Sequence, residues 1–303
     1  MDLYQLFDGI QIFQASNSKK LIIRNYRNGT KISVNNQKLL LKLLLSMKRP
    51  ISKQEIMQSN PRLLESSLDE TLRRLIGIGV VNVIGSPKTR ELSVLIIGLG
   101  TTGSFLADGI CRNLTDVRLH LVDPDVVDVS NIGRQVYLMQ DVGLFKVDVI
   151  RRNFKNSEIK TFKSFIDSES ELEVICRREN IDLVVQCGDQ PSPRYLGNIV
   201  SSVCDKVNIP YIINTGYISS LVPLPEFYYP RRDYNFNYKH HSGDEKLLLS
   251  QNLTKPTYNL AIQPTHIMLK QIEQFMKQQV PIYYRFRGYY NVDTLKWEVE
   301  KID

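Results

Sequence analysis

One stretch, residues 92–135, restricts the folds open to this chain more than any other. Residues 94–97, VLII, form an apolar run long enough for a buried parallel strand and too short for a helix. Gly98, Gly100 and Gly103 follow at once in the spacing G-x-G-x-x-G. In such a turn the first glycine permits a sharp reversal, the second lets a phosphate approach the backbone, and the third lets a helix pack closely on the strand. Residues 104–114 continue as that helix, whose unpaired N-terminal N–H groups and positive dipole end favour an anion. A second strand over 117–122 ends at Asp123, where a carboxylate can hold a ribose diol. In this order the parts predict an α/β fold, a Rossmann-like sheet with a nucleotide at the carboxyl ends of its strands.

The residues after Asp123 narrow the kind of nucleotide. The segment D-P-D-V-V-D-V-S-N-I-G-R-Q brings Asp125, Asn131, Arg134 and Gln135 close behind, and Lys146 ends the D-V-G-L-F-K run. An arginine and a lysine this near a phosphate loop suit the β- and γ-phosphates of ATP, whose charge exceeds that of a dinucleotide. Together these motifs resemble the ubiquitin-activating-enzyme superfamily, whose bacterial members include the sulfur-carrier adenylating enzymes ThiF and MoeB. The resemblance covers about residues 92–216. It implies adenylation with ATP, the three glycines at the phosphate loop, Asp123 at the ribose, and Asn131, Arg134, Gln135 and Lys146 at the phosphates.

Farther on, residues 181–186 read as another buried strand that ends in Q-C-G-D-Q-P-S-P-R. Asp189 therefore lies just outside a strand's carboxyl end, the position where open α/β sheets bind ligands. Its structural alternative is a cap for the helix expected over 191–206. The resemblance implies that Asp189 lies beside the ATP phosphates and helps hold Mg2+, and it matches Arg194 to a polar position for which packing is an equal reading. Two departures from the family pattern are visible. No cysteine follows Cys204, so the cysteine pairs of typical members are missing, neither a structural zinc site nor a thioester relay is expected, and Cys187 and Cys204 are read as packing residues. The arginine segment that typical members carry before the first strand has no counterpart in SPKTRELSV, where Arg90 is the one substitute.

The first 85 residues form a unit of their own. Residues 3–14, 21–26 and 30–34 alternate polar and apolar side chains, and Asn28-Gly29 supplies a hairpin turn. Asn36 is placed to cap a leucine-rich helix, a second helix is expected over 53–58, and a third over 63–78 carries Leu64, Leu68, Leu72, Leu75 and Ile76 at helical spacing. A return strand over 80–84 completes a small winged-helix-like domain, and the polar linker 85–90 separates it from an adenylation domain over 91–303. Basic residues such as Arg62, Arg73 and Arg74 would suit DNA, but Glu65, Asp69 and Glu70 on the third helix would oppose phosphates, so nucleic acid is not the expected partner. In element order the unit resembles the leader-recognition domain of ribosomal-peptide-modifying enzymes. There a peptide adds a strand to a sheet edge.

Composition excludes some classes. Within 303 residues at 42% hydrophobic content, no apolar run approaches the ~18 residues that span a bilayer, and the N-terminus has no signal-peptide pattern. A cytoplasmic protein with reduced cysteines and no membrane partner is expected. The net charge of +7 suits an acidic or phosphorylated ligand as well as nucleic acid. His240 and His241 lack metal-ligand spacing. The loop over 223–249, rich in tyrosine and carrying Arg231, Arg232 and Lys239, reads as a substrate lid or a dimer contact. A long helical pattern over 259–280 and a terminal hairpin around Gly288 close the chain.

In combined domain order the chain resembles microcin C-type maturation enzymes. This implies adenylation of a short, ribosomally made precursor peptide by a homodimer that uses ATP and Mg2+. The competing readings are a sulfur-carrier adenylyltransferase, a leader-binding adaptor with a decayed nucleotide site, and a winged-helix transcriptional regulator.

Overall fold

The computed structural model describes residues 2–14, 20–26, 29–35, 38–61, 64–84, 91–155, 157–214, 216–217, 219–230 and 257–301. The chain divides into two compact units, Met1–Lys88 and Thr89–Asp303.

The first unit runs β1 (Leu3–Leu6), β2 (Ile10–Gln14), β3 (Lys20–Asn25), β4 (Thr30–Asn35), α1 (Lys38–Ser46), β5 (Ile51–Ser52), α2 (Lys53–Ser59), α3 (Glu65–Gly77) and β6 (Val81–Ile84). The alternating pattern over 3–14 is two strands in different sheets. β1 joins the sheet β5-β1-β6 and β2 joins the sheet β2-β3-β4. Gly9, at φ 84°, breaks the run, a conformation that costs a glycine little. The Asn36 cap and most of the Asn28-Gly29 turn lie outside the described residues. Ser52 caps α2 with a reciprocal Ser52–Glu55 capping box. Leu43, Leu44, Ile56, Leu68 and Leu72 from the three helices form the core with Met47, Ile23 and Val81.

The second unit contains β7 (Leu92–Ile97), α4 (Thr101–Asn113), β8 (Val117–Val122), α5 (Lys146–Asn153), β9 (Ile159–Phe162), α6 (Glu169–Arg178), β10 (Leu183–Gln186), α7 (Pro193–Val207), β11 (Tyr211–Ile213), β12 (Leu221–Pro223), β13 (Glu226–Tyr228), α8 (Tyr258–Met276), β14 (Phe286–Asn291) and β15 (Lys296–Lys301). Its main sheet has the order β13-β11-β10-β7-β8-β9, all parallel except β13. Both faces are covered, so the central strands are largely apolar: Val94 and Ile96 join one core with Leu106 and Met268, while Leu95 and Ile97 join the other with Leu172 and Leu196. From β7 the chain moves outward through β8 and β9, then returns to lay β10 and β11 on the opposite side. The sheet's topological switch point therefore lies between β7 and β10, where open α/β sheets form a binding crevice.

The terminal hairpin differs from expectation. Its strands are β14 and β15, and Gly288 sits within β14 opposite Val299. The reversal comes later, where the Asn291 side-chain oxygen accepts from the N–H groups of Asp293 (3.0 Å) and Thr294 (3.1 Å). Gly288 serves close strand approach, since a Cβ there would stand 2.0 Å from the Glu298 carbonyl oxygen.

Candidate active site

The glycine turn after β7 is shaped by contacts that leave no room for side chains. Gly98 adopts φ +89°, and a Cβ on it would meet Gly188 Cα at 2.5 Å. Gly103 lies inside the first turn of α4, because the helix starts at Thr101 rather than at the expected 104; a Cβ there would fall 1.9 Å from the Gly98 carbonyl oxygen. Gly100 is different. Nothing lies within 4 Å of its Cβ position, so the space above it is open. Gly100 is also the N-cap of α4, with no side-chain cap bond, which leaves the first-turn N–H groups for an anion.

Asp123, 5% exposed at the end of β8, accepts from the Leu99 N–H at 2.5 Å and from the Asp125 N–H at 2.9 Å. Burial raises its pKa, and nearby Lys146 opposes that rise. The Lys146 ammonium is itself buried, 2.7 Å from Asp125 Oδ2 and 4.0 Å from Asp123 Oδ1. Its charge is thus already answered by carboxylates. Arg134 differs, donating to the Ser130 carbonyl (2.8 Å) and to Thr101 Oγ1 (3.1 Å), both neutral. Among the described residues no carboxylate pairs with Arg134, so an unbalanced guanidinium stands at the N-terminus of α4. Asn131 is buried and its side-chain oxygen accepts from the Asp128 N–H at 2.9 Å. Gln135 is buried with Oε1 unpartnered among the described residues.

The Gly188 turn packs on the Gly98 turn, with the N–H groups of Cys187 (2.8 Å) and Gly188 (2.7 Å) both donating to the Ile97 carbonyl. Asp189 follows, exposed, on the β10 side of the crevice. It is not a helix cap: Ser192 caps α7, its hydroxyl accepting from the Tyr195 N–H at 3.1 Å. Arg194 is exposed on the first turn of α7. Among the described residues no cluster of three His, Cys, Asp or Glu side chains could hold a metal ion. One carboxylate completed by phosphate oxygens and water is nonetheless the donor set that Mg2+ commonly takes. Burial pushes the thiols of Cys187 and Cys176 up to about 12 and that of Cys111 up to about 11. Arg90, Arg231, Arg232, Lys239, His240 and His241 lie outside the described residues.

The sequence reading missed three supports of this site. Tyr137, 1% exposed, donates to the Leu99 carbonyl at 3.0 Å and so fixes the middle of the glycine turn. The Tyr217 hydroxyl is hydrogen-bonded to Thr102 on the first turn of α4. The Gln186 amide bonds the Gly188 and Pro193 carbonyls. The two tyrosines carry no local signal of partners 38 and 115 positions away, and a glutamine at a strand end carries none of which carbonyls it will tie.

Residues 72–221 match the ThiF family. The chain carries a ThiF-family domain. It is 31% identical over 135 residues to the adenylyltransferase and sulfurtransferase UBA4 of Debaryomyces hansenii, a match of 41% of this chain and 28% of that protein. It is 27% identical over 174 residues to the UBA4 of Scheffersomyces stipitis, covering 53% of this chain and 37% of the relative. The chain thus spans about a third of the length of these curated relatives. Among solved structures, E. coli MccB with ATP superimposes over 100% of this chain and 97% of its own, with TM-score 0.75 and 18% identity. The microcin C7 biosynthetic enzyme MccB with N-formylated MccA gives 0.73 at 18% identity and the same coverage. These likenesses establish a shared fold across both units of the ThiF-domain chain.

Proposed function

We propose that this chain is an ATP-dependent adenylyltransferase that activates a short, ribosomally made precursor peptide during its maturation. The observation that carries the reading is the crevice between β7 and β10, where the N-terminus of α4 has no side-chain cap, Arg134 has no carboxylate partner among the described residues, and the turn leading to Asp189 packs on the glycine turn. The reaction that suits it is attack by a carboxylate or amide oxygen of the peptide on the α-phosphorus of ATP. A new oxygen–phosphorus bond forms as the bond to the β-phosphate breaks, and pyrophosphate leaves with the electron pair. In this reading the N–H groups beside Gly100, with Arg134, hold phosphate oxygens, Asn131 and Gln135 line the phosphate side, and Asp123 orders the loop and meets the ribose. Lys146 balances Asp125 and stands within reach of the phosphates. Asp189 would hold Mg2+, which supplies charge neutralisation at the triphosphate.

The choice of a peptide over a sulfur-carrier protein is supported by the first unit, since MccB, solved with N-formylated MccA, matches 100% of this chain, whereas the UBA4 matches stop at 135 and 174 residues. On α3, Glu65 and Asp69 pair with Lys53 at 2.8 and 2.7 Å, so carboxylates occupy its first two turns, where a helix that reads DNA with its N-terminal residues would meet bases and phosphates. The raised cysteine pKa values favour direct attack by substrate groups over an enzyme thioester.

The test is AMP and pyrophosphate formation with ATP, Mg2+ and peptides encoded by short reading frames beside the gene, set against a ubiquitin-like protein ending in Gly-Gly. Asp189→Ala should abolish peptide-dependent AMP formation, and Arg134→Ala should lower it at least about tenfold, the weight of a charge-assisted contact. Turnover with the Gly-Gly protein alone would move the assignment to sulfur-carrier activation, and full activity in Asp189→Ala would remove it.

A further inference from the structure

Gln186 ends β10 and its side chain is fully buried. Its Nε2 donates to the Pro193 carbonyl at 3.0 Å and to the Gly188 carbonyl at 3.3 Å. Two carbonyl partners settle which end of the amide is nitrogen, because an oxygen turned toward them would have nothing to accept. Oε1 then lies buried without a donor among the described residues. A side chain serving only to fill this space would do better as an apolar one of the same length, since a buried acceptor left unpaired is costly. What the amide contributes is its donor end.

The two carbonyls bracket residues 189–192, the short segment that carries Asp189 and the cap Ser192. Asp189 is exposed and has no hydrogen bond or ion pair to any described residue. The position of its carboxylate is therefore set by the backbone on either side. One side of that backbone is tied to β7 through the Gly188 N–H and the Ile97 carbonyl. Gln186 ties both ends to β10.

We propose that Gln186 is a positioning residue that holds the 188–193 segment so that Asp189 faces the crevice, and that it thereby sets the magnesium-dependent part of ATP binding. The proposal rests on the role given to Asp189 above. Gln186 touches neither ATP nor metal and acts only through the loop. Gln186→Met keeps the length and volume and removes both ties, while Gln186→Glu turns the donor into an acceptor facing two carbonyls.

The experiment is calorimetric titration of the full chain with ATP, once with excess MgCl2 and once with EDTA, after thermal melts confirm that each variant is folded. In the wild type, MgCl2 should tighten ATP binding, and Asp189→Asn should lose that gain. Gln186→Met should cut the gain about tenfold while leaving the affinity measured in EDTA unchanged, and the Gln186→Met/Asp189→Asn double variant should be no weaker than Asp189→Asn alone. A wild-type gain lost in Asp189→Asn and kept in folded Gln186→Met overturns the positioning role and leaves the function reading standing. Loss of affinity equally with and without magnesium in Gln186→Met overturns it as well, since it marks a general packing defect. A wild type that gains nothing from magnesium overturns both this proposal and the role of Asp189.

Discussion

At the scale of single residues, the three glycines of one motif do different work. Gly103 has no space for a methyl group, because the Gly98 carbonyl oxygen lies 1.9 Å from where it would stand. Gly103→Ala should therefore displace the turn and lower stability by about 1–3 kcal/mol, the usual cost of overpacking, which a denaturant melt would record. Gly100 has open space at the same position and φ −68°. Gly100→Ala should melt close to the wild type, within the ~1 kcal/mol that a glycine N-cap is worth, yet bind ATP at least several-fold more weakly because the methyl group enters the room left for phosphate. If the two variants bind and melt alike, the distinction between packing glycine and approach glycine fails.

At the scale of elements, the strands of the main sheet carry one polar cluster away from the crevice. Ser93 on β7 lies 2.9 Å, Oγ to Nε2, from His120 on β8, and both are buried. His120 Nδ1 has no hydrogen bond among the described residues, and Glu179 Oε2 is 4.0 Å away. Burial pushes the His120 pKa down to about 4, Glu179 opposes that, and Lys160 and Arg118 add to it. A histidine whose folded pKa is below its unfolded value stabilises the fold fully above the unfolded value, near 6.5. That stabilisation is lost as pH falls toward 4. The second unit should lose up to about 3 kcal/mol across that window, and His120→Gln should flatten the dependence. An unchanged pH profile in that variant would show that other groups govern acid unfolding.

At the scale of the whole molecule, the two units invite separate tests. The first unit, assigned to peptide recognition by our reading, should bind the precursor peptide by itself, with weak salt dependence, and its removal should raise the peptide concentration needed for half-maximal turnover without changing ATP binding. DNA binding would fall steeply with salt instead, and a truncated chain that processes peptide as well as the whole would end the recognition role. The second unit exposes Val129, Leu138, Met139 and Leu144, between 43% and 62%, on the segments between β8 and α5 beside the candidate site. Exposed apolar side chains are compatible with a homodimer, which we propose, and light scattering on the active protein should give twice the 35.0 kDa chain mass. A fully active monomer would contradict it.

By itself the sequence determined the parts that depend on neighbours along the chain. The strands β7, β8 and β9, the glycine turn, Asp123 at a strand end and Asp189 beyond another are set by short apolar runs, by the absence of a Cβ and by where those runs stop. The periodicity of α1 to α3 likewise came from local pattern. Tertiary structure decided the rest. The 3–14 run became two strands because a left-handed Gly9 lets the chain change sheets, and the last hairpin turned at Asn291 rather than Gly288 because the glycine was needed for close approach across strands. Tyr137 reaches Leu99 across 38 positions and Tyr217 reaches Thr102 across 115. Lys146 meets Asp125 across 21 positions, and Arg134 meets Thr101 across 33 with no carboxylate partner among the described residues. Hydrogen bonds and charge balance between remote residues exist only after the sheet has ordered its strands, and no local spacing encodes them.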